Sequence, residues 1–401
     1  MVAQTAALSS SALSVPHSRI RELAEIAMKM DGVLKLYFGE SNLPTPEYIK
    51  RAAQKAMADG FTYYTENAGM PTTRKGIARH YSELHRVEID PAREIVVTAS
   101  GVQALNVAIR CLLDPGDEAL VLTPAWPNGS AIVTMANAVV KQIPHVLAGG
   151  RYEIDYEALE RAVTPKTRML LYTSPSNPLG WVATDRDQER LLEFTRKHGL
   201  WLMADEVYER LYYPVDGAAP LPKGTRFTAP TILRKATRED AVIVVQSFSK
   251  AYCMTGWRLG WLIGRADLVA RASQLNEFII SHAASFTQRA AETALLWGED
   301  AINEMMKRLR ENRDFCMAAL SKMPGVTVPK PEGAFYLFPK IEGVTDSFEF
   351  CKRILMETQV GLAPGVAFGA GGEGSIRICY ASEMAILRDA MSRLALFMKS
   401  R

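Results

Sequence analysis

Between about Ile49 and Leu296, short apolar runs rich in β-branched residues alternate with longer segments of helical periodicity. Few architectures accommodate that alternation. A strand that is apolar on both faces needs cover on both faces, and a parallel sheet flanked by helices supplies it. Residues 169–173 (MLLYT), 200–204 (LWLMA) and 241–245 (AVIVV) are runs of this kind. They predict an α/β fold: a three-layer α/β/α large domain with a mostly parallel sheet over residues 47–298. A helical stretch beginning near Ile302 leads from it to a smaller α+β portion. With 401 residues, 48% of them apolar, the chain has material for two or three domains of about 150 residues each.

The strand-like run 241–245 delivers a lysine, Lys250, into the segment 246–260 (QSFSKAYCMTGWRLG). A lysine after a strand is in most proteins a solvated surface residue. Here two hydroxyls, Ser247 and Ser249, a guanidinium, Arg258, and two glycines surround it, a set suited to hold a phosphate. A buried amine keeps a neutral fraction able to attack a carbonyl, and the imine it forms needs its partner held still. Residues 94–105 (EIVVTASGVQAL) read as strand, glycine turn and helix. The unpaired N–H groups and partial positive charge of such a helix start suit an anion, which makes Ser100, Gly101 and Val102 a second set of phosphate donors. No G-x-G-x-x-G occurs there, which argues against a dinucleotide-binding oxidoreductase.

The ordered pattern S-x-S-K-x-x-x-x-x-G-x-R at residues 247–258 resembles the pyridoxal-phosphate (PLP) enzymes of fold type I, specifically the class I/II aminotransferases. The resemblance implies that Lys250 carries pyridoxal 5'-phosphate as a Schiff base and then moves the Cα proton, with Ser247, Ser249 and Arg258 on the phosphate. Further parts follow in the family's order. Asp205 closes an apolar run, at the carboxyl end of a parallel strand where open α/β sheets bind ligands, and matches the acid that keeps the ring nitrogen protonated. Tyr208 resembles the phenol that donates to the cofactor's O3′, and Asn177, in SPSNPLG, the amide that bonds O3′ and a substrate carboxylate oxygen. Trp126, in TPAWPN, resembles the ring stacked on the pyridine face. Arg377 follows the glycine-rich residues 364–373 and matches the arginine that grips the substrate α-carboxylate, a task suited to a planar guanidinium. Gly39 resembles the glycine whose N–H meets the substrate, although Ser41-Asn42-Leu43 replaces the commoner Pro-Asp-Phe after it. Tyr64 matches a tyrosine that reaches the phosphate of the neighbouring subunit, which implies a homodimer. The family's small, substrate-closing domain is discontinuous, and here would comprise residues 1–46 and 299–401.

These features imply a PLP-dependent aminotransferase that moves an amino group from an L-amino acid to a 2-oxo acid by a ping-pong mechanism. In one bacterial aspartate-aminotransferase subgroup a lysine directly after the phosphate-loop glycine grips the distal carboxylate. Val102 stands in that place, so the resemblance favours neutral or aromatic donors. An aspartate/2-oxoglutarate transaminase and a PLP-dependent lyase on the same scaffold remain open alternatives.

The net charge of +3 points to neither nucleic acid nor an anionic membrane as partner. No apolar run approaches the roughly 20 residues that cross a bilayer, and nothing reads as a secretory signal. A cytoplasmic location is expected, with the first 15 residues a frayed terminus in preference to a transit peptide. The five cysteines, Cys111, Cys253, Cys316, Cys351 and Cys379, form no C-x-x-C pair, so a reducing compartment and no metal site are expected. Residues 213–239, rich in Pro and Gly, read as a surface insertion.

Overall fold

The computed structural model describes residues 8–213 and 226–400. Seven strands form the central sheet: β1 (Ile95–Thr98), β2 (Glu118–Thr123), β3 (Val139–Pro144), β4 (Thr167–Thr173), β5 (Trp201–Asp205), β6 (Val242–Ser247) and β7 (Gly260–Gly264). Their spatial order is β1-β7-β6-β5-β4-β2-β3. All neighbours run parallel except β7, which lies antiparallel between β1 and β6.

The two-residue alternation of a strand sorts its side chains onto opposite faces. Leu202 and Ala204 on β5, with Val242 and Val244 on β6, join the core that includes Ile77, Tyr81, Leu191 and Ala290. Met203, Ile243 and Val245 join the opposite core with Ala104, Leu105, Ile132 and Ala272. Burial on both sides explains why these strands read as unbroken apolar runs. The helices close off with local signals. In the helix Asp185–His198, Thr184 and Asp187 form a reciprocal capping box, and Gly199 ends it in the left-handed conformation.

The C-terminal portion contains the helices Glu299–Leu320, Ser347–Thr358 and Met384–Lys399. They accompany a small antiparallel sheet in which Ile376–Cys379 lies between Tyr336–Leu337 and Ala363–Pro364. The N-terminal strand Leu34–Lys35 pairs in parallel with Val360–Gly361, and the Cys379 amide donates to the Leu36 carbonyl. Among the described residues no helix is long and apolar enough to cross a membrane, and no group of three or more His, Cys, Asp or Glu could hold a metal ion.

The expected surface insertion at 213–239 is corrected for the part that the structure describes; residues 214–225 lie outside it. Ala229, Thr231 and Ile232 are fully buried, and the Ile232 amide donates to Glu206 Oε1 at 3.0 Å. Two apolar residues in a 3-10 turn are too short a signal for periodicity to reveal.

Beneath the β5 terminus, Glu209 accepts from the imidazoles of His80 at 2.8 Å and His85 at 3.1 Å, all three side chains being buried. Burial alone would raise the Glu209 carboxyl, but the two histidine hydrogen bonds outweigh it and hold the group well below the usual carboxylate range. Burial also lowers the proton affinity of His80. An unfolded chain protonates His80 near pH 6.5 and Glu209 near pH 4.3, whereas the folded chain resists both, so stability is lost as the pH falls below about 6.5. Glu209→Ala strands two buried imidazoles and is expected to cost about 3–5 kcal/mol, read as a lower urea midpoint at pH 8. An unchanged midpoint would show that the cluster contributes nothing.

Candidate active site

The sheet register brings the candidate residues to one edge. Thr173 is paired with Asp205, and Asp205 with Val245, while Gly260 is opposite both Ser247 and Thr98. The carboxyl ends of β1, β4, β5 and β6 therefore face the same space, the place where open α/β sheets form ligand crevices. A cavity of about 640 Å³ opens there. Gly39, Ser100, Gly101, Val102, Trp126, Asn177, Asp205, Tyr208, Ser247, Ser249, Lys250, Arg258 and Arg377 all line it. Tyr64 does not; its side chain is exposed and meets the His282 ring edge-on at 5.6 Å.

Lys250 follows β6 and turns its ammonium into the cavity, where it donates to the Gly39 carbonyl at 2.6 Å. Burial, aided by the Arg377 charge, pulls this ammonium down to about 8, so a neutral fraction far above that of a free lysine exists near neutral pH. Asp205, buried at the tip of β5, accepts among the described residues only from the Val207 amide, at 3.3 Å. Burial pushes its carboxyl up to about 7, against that hydrogen bond and the Lys250 charge. Such a group suits a ligand that brings a proton-bearing nitrogen to it. Tyr208, one turn further on, shares a 2.6 Å hydrogen bond with the hydroxyl of Tyr336.

Arg377 lies in the strand Ile376–Cys379 and is 2% exposed. It donates to Asn177 Oδ1 at 2.9 Å and to the Tyr37 carbonyl, and its guanidinium lies over the Tyr336 ring, 4.7 Å from the centroid. Its Nε has no hydrogen-bond partner among the described residues. A guanidinium held flat in this way, with a free N–H, is prepared to grip a carboxylate. A Cβ added at Gly39 would collide with the Tyr336 hydroxyl, so only glycine lets this wall approach.

On the opposite side, Ser100 caps the helix Gly101–Leu112, its Oγ accepting from the Gln103 amide. The first N–H groups of that helix have no partner within it. Ser247 and Ser249 share a 2.8 Å hydrogen bond, and Arg258, in the left-handed conformation, donates to the Thr255 carbonyl at 2.6 Å. A Cβ at Gly101 would meet Val207 Cγ1 at 3.3 Å and Ser247 Cβ at 3.4 Å, filling the space between the helix start and the serines. Backbone donors, hydroxyls and a guanidinium thus converge on one position that can hold an anion.

The structure adds residues that the sequence did not single out. Tyr37, Phe38, Glu40, Thr255, Tyr336 and Arg21 also line the cavity. The Glu40 carboxylate accepts from the Thr255 hydroxyl, and Thr45 is bonded to the Cys253 carbonyl and to Trp257 Nε1. Segment 39–45 is thereby fixed on the lysine loop. Tyr37, Phe38, Glu40 and Thr255 lie in the segments around Gly39 and Lys250 without a role of their own there, Tyr336 follows Gly333-Ala334-Phe335, and nothing in the sequence marks Arg21.

The fold and the cavity define an α/β protein that gathers a buried lysine, a buried carboxylate and several arginines at the carboxyl ends of its strands. Residues 32–394 match the family model of aminotransferase class I and II. The chain is 33% identical over 385 residues to an aspartate aminotransferase of Pyrococcus horikoshii, covering 95% of each chain. It is 32% identical over 400 residues to aromatic-amino-acid aminotransferase 2 of Thermococcus litoralis, covering 98% of this chain and 99% of that one. The solved structure of an alanine aminotransferase from Pyrococcus furiosus matches with a TM-score of 0.90 at 29% identity, over 98% of this chain and 100% of the other. The chain belongs to the class I and II aminotransferases and is a transaminase.

Proposed function

We propose that this transaminase uses pyridoxal 5'-phosphate to move an amino group from an L-amino acid, preferably neutral or aromatic, to a 2-oxo acid in two half-reactions. The observation that carries the proposal is the meeting of Lys250, Asp205 and Arg377 in one cavity from three separate parts of the chain. The residues present fit the cofactor: an anion cradle, a buried carboxylate awaiting a proton-bearing nitrogen, and an indole, Trp126, on the cavity wall. When bound, the cofactor supplies an aldehyde that captures amines and a ring that accepts electron density from the substrate's Cα.

In this reading Ser100, Gly101, Val102, Ser247, Ser249 and Arg258 hold the phosphate. Asp205 would stabilise a protonated ring nitrogen, and Tyr208 would donate to the ring oxygen. Trp126, on the cavity wall, would pack against the ring. Arg377, steadied by Asn177, fixes the α-carboxylate and so orients the Cα–H bond toward Lys250. Lys250 would hold the cofactor covalently through its amine and, once that amine is free, would carry the Cα proton. Residues 1–46 and 299–401 act as one smaller domain that closes on the large domain, residues 47–298.

Donor preference rests on Val102, which brings no charge to the substrate side, and on the apolar Ile20, Phe38 and Leu105 that share the cavity. The test is to mix cofactor-loaded protein with single amino acids and no 2-oxo acid. Stoichiometric appearance of pyridoxamine phosphate and a 2-oxo acid is expected, fastest with neutral or aromatic donors. Ammonia released catalytically without an acceptor would instead establish a lyase.

A homodimer completes the proposal. Tyr63, Tyr64, Phe278, Ile279 and Ile280 expose a large apolar area, on segments joined by Asn276 donating to the Asn67 carbonyl. Apolar patches of this kind mark interaction surfaces. Light scattering is expected to give twice the chain mass, and Tyr64→Ala to keep that mass while loosening cofactor retention. A monomer that is fully active would overturn both.

A further inference from the structure

We propose that Asn276 is a positioning residue for two cofactor sites at once, setting the phosphate turn of its own subunit and the Tyr64 segment that serves the neighbouring one; this rests on the homodimer reading above. Asn276 lies in the last turn of the helix Ala266–Ile279 and is fully buried. Its Nδ2 donates to the Asn67 carbonyl at 3.0 Å and to the Ser281 carbonyl at 3.4 Å. Its Oδ1 accepts from Gln103 Nε2 at 2.7 Å. Gln103 Oε1 in turn accepts from the Ala99 amide, and the Gln103 backbone N–H donates to Ser100 Oγ at 3.2 Å.

These bonds admit one orientation of both side-chain amides. The Asn67 and Ser281 carbonyls can only accept, so the NH2 of Asn276 must face them and its oxygen must face Gln103. Gln103 must then offer its own NH2 to Asn276 and its oxygen to the Ala99 N–H. Both ends of the relay fasten backbone. One end is the turn at Ala99 and Ser100, where Ser100 has a φ of 119° immediately before the helix start proposed to receive the phosphate. The other end is the stretch leading from Tyr64 to Asn67, together with the turn at Ser281, whose φ is 65°.

Tyr64 is 89% exposed, so the backbone beneath it, and not packing around it, sets its direction. Gln288 braces the same ground: its Oε1 accepts from the Met70 amide at 2.8 Å and its Nε2 donates to the Ala283 carbonyl at 2.7 Å. Residues 67–70 and 281–283 are therefore joined by two buried amides, and Asn276 carries the connection on to the phosphate turn. A segment held in this way binds without first having to be ordered. Each subunit would thus hold its own phosphate turn and its reach toward the partner's phosphate on a single side chain.

Mixed dimers purified through two different affinity tags separate the two roles. A chain bearing Lys250→Ala cannot bind pyridoxal 5'-phosphate covalently, so the visible absorbance of the covalent form reports the other, Lys250-bearing chain alone. Asn276→Asp, equal in size but without the two donors, is placed first on the Lys250→Ala chain. The cofactor concentration giving half of the absorbance change is expected to rise about threefold to tenfold, the effect of roughly one lost hydrogen bond. Moved to the Lys250-bearing chain, the same substitution should raise it by a similar factor through that chain's own turn. Light scattering should give the dimer mass in both arrangements. Tyr64→Ala on the Lys250→Ala chain supplies the reference for a contact across the interface. If it weakens binding and Asn276→Asp in the same place does not, the role of Asn276 is overturned and the homodimer reading stands. If neither weakens binding, both fall. An effect confined to Asn276→Asp on the Lys250-bearing chain would overturn the double role. Asn276→Ser, which buries no charge, carries the same expectations and replaces the aspartate variant should that one fail to assemble.

Discussion

Lys250→Ala is expected to reduce turnover by about 10³-fold or more, because the substitution removes both the covalent anchor and the proton carrier. Its visible absorbance should change at the same time, with the cofactor bound only noncovalently and lost on gel filtration. Circular dichroism should stay the same, since the lysine tip packs against the cavity and contributes one hydrogen bond, to Gly39. Lys250→Arg keeps the charge but offers no amine able to attack a carbonyl near neutral pH, so it should be equally inactive. Ordinary activity in either variant would end the assignment of the lysine and, with it, of the cavity.

Asp205→Ala should lower kcat by about 10²–10³-fold, the scale on which a preorganised buried charge acts, while KM moves by only a few-fold. The loss belongs to the chemical step because, in the proposed reading, the carboxylate serves the cofactor ring and not the amino acid. Stability is expected to move in the opposite direction. The folded-state carboxyl is raised to about 7, above the 3.9 of an unfolded aspartate. Folding therefore favours the protonated form, and the cofactor-free protein is destabilised as the pH rises from about 4 through 7. Asp205→Asn should then melt higher than the wild type at pH 8 in the absence of cofactor, and lower relative to it once cofactor is added. A cofactor-free variant that melts lower at pH 8 would show that the carboxyl is not held under that burden.

The central sheet was legible because its strands are buried on both faces. The runs at 169–173, 200–204 and 241–245 correspond within a few residues to β4, β5 and β6, and the acid and the lysine emerge from their ends as the runs implied. The antiparallel strand β7 was not separable: its five residues, GWLIG, directly follow the serine–lysine–arginine segment and carry no alternation of their own. The second layer of the cavity was equally hidden. Tyr336 meets Tyr208, and Tyr37 meets Arg377, through contacts between distant segments, which no local pattern around either tyrosine specifies. Arg21 reads as one more surface arginine among 47 basic residues until the cavity places it beside three other cations. Local periodicity reports which face is buried; it says nothing of which distant segment arrives to bury it.

The bond between Arg377 and the Tyr37 carbonyl spans 340 residues, and this has a consequence for how the protein is made. Every strand of the central sheet lies between Ile95 and Gly264, so the sheet and its lysine can be assembled while the ribosome is still translating. Tyr37 leaves the ribosome early and must wait for Arg377, since long-range closures come late and slowly. A nascent or prematurely terminated chain ending before Arg377 has all the strands that carry the lysine but lacks the guanidinium proposed to hold the substrate's carboxylate.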